Sequence, residues 1–389
     1  MTPHQGPSAS ALLPDACTRS GEEPQGEKML GRLTGLPLQY LRIKRFKVAP
    51  IWATLDLTWN CNCRCSYCNY WRDDHEDLPA DAMKLVIDRL GELGVVYLGL
   101  SGGEPLLRKD VVELTAHAKA LGLFVGMNTN GTVGRLDVYD ALMAAGIDTI
   151  CFSIDGASAA THEMFRKNCP FHRVVDTIRK VVALRDEKGY GTRISTGTVI
   201  HRGNVHEVEE IARLRVTLGV DRNNFQPVWL GEVADEFRSE VGFGPADREV
   251  LEKAARTLAA LPGSNLGAYS ELLPDYYTDY DKVRSIECYG GRAFVYVDPR
   301  GVIHPCSIML EPMGDLTRND WRERLASDQT REILARAAGQ QCPGCSLVCY
   351  MERNIMLNNV TRPALLRELV FRRYLPGLLR SGRSGERGR

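Results

Sequence analysis

From Ile51 onward, short β-branched or apolar runs alternate with longer stretches whose apolar positions recur three and four residues apart. The runs Ile51 to Thr58, Val95 to Ser101, Leu123 to Met127, Thr149 to Ile154, Arg193 to Ile200 and Asn224 to Leu230 read as strands. The stretches Ala80 to Leu93, Lys109 to Leu121, Gly134 to Ala145, Val174 to Lys188, Val205 to Leu218 and Asp247 to Leu261 read as helices. Strand-then-helix units predict a parallel sheet with right-handed crossovers, because parallel neighbours need long return connections. The expected fold class is α/β: a partial (β/α)6 TIM-like barrel over 51–262, short of the closed eight-unit form, followed by a small cysteine-rich α+β unit over 263–360. Reactive groups in such barrels collect at the C-terminal ends of strands. Polar clusters here follow Thr58, Leu100, Met127 and Ile154.

The flanks differ in character. Met1 to Glu27 is rich in Pro, Ser, Gly and Glu and has no apolar signal core, so 1–50 is expected to be a flexible leader and a basic lead-in. After Pro262 an acidic stretch with Tyr276, Tyr277 and Tyr280 reads as a linker or a loop over the site. The ending, 361–389, carries eight Arg against two Glu, with Leu365, Leu366, Leu369, Val370, Phe371 and Tyr374 at helical spacing. A terminal helix docked on the body, then a frayed end, is the favoured reading. A basic amphipathic helix on an anionic membrane or lipid-like substrate is the alternative.

Composition narrows the chemistry. Lys plus Arg (49) balances Asp plus Glu (49), so no global field draws the chain to nucleic acid. No apolar run approaches the roughly 20 residues of a membrane span. The 12 cysteines in 389 residues are clustered rather than dense. Bunched thiols in a large chain without an export signal read as metal ligands in a reducing, cytoplasmic setting.

The first group, Cys61-x3-Cys65-x2-Cys68, follows the first strand directly. Thiolates are soft ligands suited to zinc or iron–sulfur clusters. Three on one short loop can hold a cube of iron and sulfide and leave one iron open, whereas structural zinc takes a fourth protein ligand. Here the sequence resembles the radical S-adenosylmethionine (radical SAM) superfamily, over roughly Ile51 to Leu261. The resemblance rests on the cysteine loop with Tyr67 before its last cysteine, on Ser101-Gly-Gly-Glu-Pro105 one unit later, on Asn128-Thr-Asn-Gly131, and on Ser153-Ile-Asp-Gly156. It implies a 4Fe–4S cluster on Cys61, Cys65 and Cys68 whose fourth iron binds SAM, with Cys63 a bystander pointing away. It also implies that Gly102, Gly103, Glu104 and Pro105 lie at the SAM amino group. Asn128 and Ser153 are implied near SAM, with Ser153 and Arg166 as candidates for its ribose and carboxylate and Val199 for its adenine.

The second group is Cys288, then Gly301-Val-Ile-His-Pro-Cys306, then Cys342-Pro-Gly-Cys345 and Cys349. Alone, its Cys-x2-Cys would suggest zinc. The hairpin pattern Phe294 to Ile303 around Asp-Pro-Arg-Gly resembles the SPASM and twitch extensions of radical SAM enzymes. That resemblance implies an auxiliary 4Fe–4S cluster on Cys288, Cys306, Cys342 and Cys345, with Cys349 left over as an alternative ligand or a remnant.

The implied activity is reductive cleavage of SAM to a 5′-deoxyadenosyl radical that takes hydrogen from a substrate carbon, with electrons from a donor such as flavodoxin or ferredoxin. With no room for a folded leader-binding domain before the barrel and no cobalamin domain visible, the expected substrate is a small molecule such as a sugar or aminocyclitol, oxidised through the auxiliary cluster. A peptide, a protein side chain or a lipid is the alternative substrate, and a zinc-binding interaction module the non-enzyme alternative. Gln226, Trp229, Asp275, Tyr276 and Tyr277 are expected to line the substrate site.

Overall fold

A computed structural model describes residues 25–359, apart from 73–75, 232, 234, 262–263 and 266. The expectations for 1–24 and for the 361–389 tail lie outside the described residues.

Six strands run parallel in chain order: β1 (Trp52–Thr58), β2 (Tyr97–Gly102), β3 (Phe124–Thr129), β4 (Thr149–Ser153), β5 (Arg193–Ile200) and β6 (Arg222–Pro227). Each is formed by residues whose alternate side chains bury against helices. In β1, Ala53, Leu55 and Leu57 are fully buried in the main core, while Trp52, Thr54 and Asp56 occupy the other face. The helix Ala80–Glu92 answers with Met83, Val86, Ile87 and Leu90, a single stripe at helical spacing. Full burial of each such side chain contributes roughly 1.5–3 kcal/mol. The helix Phe171–Lys188 does the same with Val174, Ile178 and Val181.

The cysteine-rich segment is not a separate layer. Its hairpin, β7 (Phe294–Val297) and β8 (Val302–His304), joins the same sheet, with β7 parallel to β1 and Thr54 opposite Tyr296. A short β9 (Gly314–Asp315) completes a nine-stranded sheet. Asp298 builds the hairpin turn, its Oδ1 accepting from Arg300 N (2.9 Å) and Val302 N (3.0 Å). The last helix among the described residues, Val348–Asn358, lies against β6 and the Gly267–Ser270 helix, and its Tyr350 stacks on Phe294 with centroids 4.9 Å apart.

Two expectations are corrected. The basic lead-in, for which no elements were expected, is helical as Gln25–Thr34 and Leu36–Lys44. Arg32 fixes the first of these by donating to Leu121 O (3.0 Å), Gly91 O (3.1 Å) and Val95 O (2.9 Å), carbonyls that precede the strands. Gln39 Nε2 anchors the second to Pro50 O at 2.7 Å. The tyrosine stretch is likewise ordered, as short helices Asp275–Thr278 and Tyr280–Arg284. Among the described residues, no helix is long and apolar enough to cross a membrane.

Candidate active site at the C-terminal ends of the strands

β1 ends at Thr58 and the cysteine loop follows. The next strand loop is packed directly onto it: Gly103 N donates to Thr58 O (2.8 Å) and Glu104 N to Asn60 O (2.9 Å). This closeness explains both glycines. A Cβ on Gly102, whose φ is +117°, would lie 2.1 Å from Thr58 O, and one on Gly103 would lie 2.2 Å from Asn60 O. Glu104 is buried and latches this loop to the end of β3. Its Oε1 accepts from Leu106 N (3.1 Å) and Thr129 Oγ1 (2.9 Å), and its Oε2 from Asn130 N (2.7 Å). Burial nevertheless pushes its carboxyl up to about 7.

Asn130 carries the latch to the thiols. Its Nδ2 lies 3.9 Å from Cys61 Sγ and 2.8 Å from Asn62 Oδ1. Hydrogen bonding from Cys63, foremost, brings Cys61 down to about 6, while burial raises Cys65 to about 12. Cys63 points into the 168–169 turn, with its Sγ 3.6 Å from Asn168 O. Cys65 is paired by backbone with Arg166 in a two-residue antiparallel rung, Arg64–Cys65 against Arg166–Lys167.

Arg166 is buried, and its polar atoms face the protein. Its Nε is 2.6 Å from Asp155 Oδ2, and its Nη1 is 3.8 Å from Cys65 Sγ. Tyr67 OH donates to the same Asp155 oxygen, and Val199 N donates to Asp155 Oδ1 at 2.8 Å. Burial opposes ionisation of Asp155, but the Arg166 charge holds its carboxyl below the usual range. Asp155 therefore joins the cysteine loop to the ends of β4 and β5. Sequence reasoning passed over it, though it sits inside the polar run that ends the fourth strand.

On the inner face, Asn128 is exposed, with its Nδ2 3.4 Å from Ser101 Oγ, and Ser153, Val199 and Gln226 are half-buried at the ends of their strands. The remaining substrate-site candidates are engaged with the protein itself, and Tyr277 packs in one apolar cluster with Val199 and Tyr67. Trp229 Nε1 donates to Gly344 O (3.1 Å), next to Cys345. Asp275 is paired with Lys282 (3.2 Å) and Arg248 (3.5 Å). Tyr276 is buried against Tyr269, and Tyr277 OH donates to Val228 O at 2.7 Å. These side chains brace the junction between barrel and cysteine-rich segment.

In the second group, Cys288, Cys306, Cys345 and Cys349 border one apolar cluster with Tyr289, Phe294 and Tyr350. Cys342 is near enough to Cys288 and Cys306 to act on their ionisation. Burial raises all four thiols of that cluster, Cys306 to about 12 and Cys349 to about 11. Burial thus disfavours bare thiolates at Cys65, Cys288, Cys306, Cys345 and Cys349, and bound iron would supply the missing positive charge there. Among the described residues, no three His, Cys, Asp or Glu side chains converge on a single-ion site. The ligands of an iron–sulfur cube stand at its separate corners, and soft thiols on one short loop suit it chemically.

Comparison with known proteins defines the class. Residues 57–215 match the family model of the radical SAM superfamily. The chain is 30% identical over 316 residues to the PqqA peptide cyclase of Xanthomonas campestris pv. campestris strain 8004, covering 76% of this chain and 79% of that protein. It is 33% identical over 267 residues to the PqqA peptide cyclase of Methylorubrum populi, where it spans 66% of the relative. Among solved structures, SuiB of Streptococcus suis bound to precursor peptide SuiA superposes with a TM-score of 0.59 at 14% identity, covering 77% of this chain and 70% of that one. AdoMet-bound anSMEcpe superposes with a TM-score of 0.56 at 15% identity, covering 85% and 99%. These two share the fold. The chain belongs to the radical SAM superfamily. It is an enzyme, and the cofactors of its class are SAM and a 4Fe–4S cluster.

Proposed function

We propose that this chain is a peptide-modifying radical SAM enzyme that removes hydrogen from a side-chain carbon of a peptide and carries the product to an oxidised or cross-linked state. The observation that carries this reading is the 30% identity to a protein named PqqA peptide cyclase, over 76% of the chain, which is more than the barrel alone. It reverses the preference for a sugar or aminocyclitol. That preference leaned on the lack of a leader-binding domain before the barrel, but leader recognition need not be built into the same chain.

In this reading Cys61, Cys65 and Cys68 hold the SAM-binding cluster, and Cys288, Cys306, Cys342 and Cys345 hold an auxiliary one. Together the first cluster and SAM supply a 5′-deoxyadenosyl radical when bound. The chain's residues then have definable tasks. Gly102 and Gly103 keep the second strand loop flush against the cysteine loop, and Glu104 anchors it from behind. Asn128, Ser153 and Val199 border the inner mouth where SAM would lie. Gln226 is the retained candidate for substrate contact, because Trp229, Asp275 and Tyr277 are engaged with the protein itself.

The test is mass spectrometry of reconstituted, reduced protein incubated with SAM and a short peptide encoded beside its gene. Loss of hydrogen from the peptide, dependent on SAM, supports the reading. An unchanged peptide alongside turnover of an aminocyclitol would overturn it.

A further inference from the structure

The rung that pairs Arg64–Cys65 with Arg166–Lys167 sets Arg64 opposite Lys167 and Cys65 opposite Arg166. Successive side chains of a strand point to opposite sides. Cys65 and Arg166 accordingly lie buried, and Arg64 and Lys167 exposed. The rung thus carries Cys65 and Arg166 on its buried side and two cations on its exposed side. An open groove of about 550 Å³ borders it, lined by Ala160, Glu163, Met164, Arg166, Lys167 and Cys169 among others. Met164 is 47% exposed in it.

A second aromatic element flanks the same rung. Trp71 Nε1 donates to Cys65 O at 3.3 Å, so its indole is tied to the cysteine itself. The Arg64 guanidinium lies over that ring at 5.6 Å and Arg72 over it at 4.9 Å. Glu163, the carboxylate of the groove, accepts from Phe171 N at 2.9 Å and is held toward its own helix–turn junction. The face over Cys65 therefore joins three cations, Arg64, Arg72 and Lys167, to an apolar and aromatic centre. Of these side chains Trp71 also braces the cysteine loop through Cys65 O, whereas Arg64 and Lys167 are the exposed residues of the rung.

We propose that this face is the docking surface for the electron donor, a small acidic redox protein with a low-potential flavin or iron–sulfur centre. Transient redox partners use small interfaces, so a few charged residues around an apolar centre are enough to seat one. Opposite charge sets their orientation and speeds encounter, while the apolar centre excludes water where the two surfaces meet. Docking over the rung places the donor beside Cys65 without obstructing the mouth where substrate enters. The step is a one-electron transfer: the donor's reduced cofactor loses one electron, the centre held by Cys61, Cys65 and Cys68 gains it, and no atom moves between the proteins. The inference rests on the radical SAM chemistry of the class, not on the identity of the substrate.

The experiment uses the reconstituted full chain with reduced flavodoxin as probe, following bleaching of the cluster by stopped flow at low ionic strength. In the double variant Arg64→Glu/Lys167→Glu the rate is expected to fall about ten-fold or more, and the steep salt dependence of the natural protein to flatten. Dithionite, a small reductant that needs no docking, should reduce natural and variant proteins alike, with equal iron content and equal SAM cleavage. A variant that takes electrons from flavodoxin at the natural rate overturns the proposal. So does one that loses the same factor with dithionite, because the residues would then support the cluster itself. Failure of the natural protein to accept electrons from reduced flavodoxin would also overturn it. The peptide reading is untouched by any of these results as long as dithionite-driven turnover of the peptide persists.

Discussion

Asp155 and Arg166 form a buried ion pair, 2.6 Å from oxygen to Nε, that turns the other arm of the guanidinium toward the sulfur of Cys65. Asp155 is fully buried and Arg166 nearly so, and each charge depends on the other. Asp155→Ala leaves the Arg166 cation uncompensated and is expected to cost about 3–5 kcal/mol, read from urea unfolding. Asp155→Asn keeps one acceptor, enough for Tyr67 OH or Val199 N but not for both, and should cost less. Equal stability of the alanine variant and the natural protein would remove the pair from the account.

The contact between the second strand loop and the cysteine loop leaves no room for a methyl group. Gly103→Ala would put a Cβ 2.2 Å from the Asn60 carbonyl, a backbone atom that moves only with the cysteine loop. Reconstituted iron and affinity for SAM should both fall, by about ten-fold or more for SAM, or roughly 1.4 kcal/mol. Gly191→Ala, where a Cβ meets nothing within 4 Å, is the control and should change neither. Isothermal titration with SAM together with iron analysis separates the two variants.

These features were unequally legible in the chain. The parallel strands were legible because each is a short run with β-branched or apolar residues, in a regular alternation with amphipathic helical stretches. The helix Ala159–Phe165 was missed, since its few residues carry little periodicity. Its start is marked only by Ser158, whose side chain accepts from Thr161 N. Leu36–Lys44 buries only Gln39 and Ile43, so its pattern reads as a basic surface segment rather than a docked helix. Joining of the hairpin to β1 pairs Thr54 with Tyr296 and has no local signal at all. The cysteine groups were visible as spacing. Asp155 was not singled out, because its role lies in partners far along the chain, Tyr67 and Val199. Tyr276 and Tyr277 show the converse: polar aromatic residues near a site look available in the sequence, yet Tyr276 packs on Tyr269 and Tyr277 OH donates to Val228 O.

Asp56 offers a pH test away from the cysteines. It is buried on the inner side of β1, accepts from Tyr296 OH at 2.7 Å, and burial pushes its carboxyl up to about 7. The folded state therefore holds a proton that the unfolded chain, titrating near 3.9, releases. Between about 4 and 7 the folded state binds more protons, so this group makes stability fall as pH rises through that window. Asp56→Asn keeps an acceptor for Tyr296 and should flatten that part of the thermal-midpoint profile. An unchanged slope would mean that Asp56 is ionised in the fold.

Trp229 ties the end of β6 to the Cys342–Cys345 turn through a single hydrogen bond to Gly344 O. Trp229→Phe keeps most of the packing and removes the bond, at about 1 kcal/mol. Iron at the second cysteine group should become easier to strip with chelator, while SAM cleavage at the first persists. Simultaneous loss of both would show that the two groups are not separately held.

The most direct measurement is 5′-deoxyadenosine release by the anaerobically reconstituted, reduced chain, beside a variant with Cys61, Cys65 and Cys68 all replaced by alanine. The natural protein should cleave SAM, and the variant should release none while keeping the iron of its second group. Equal release from the two, or none from a fully loaded natural protein, would contradict the assignment of the cofactor to that loop.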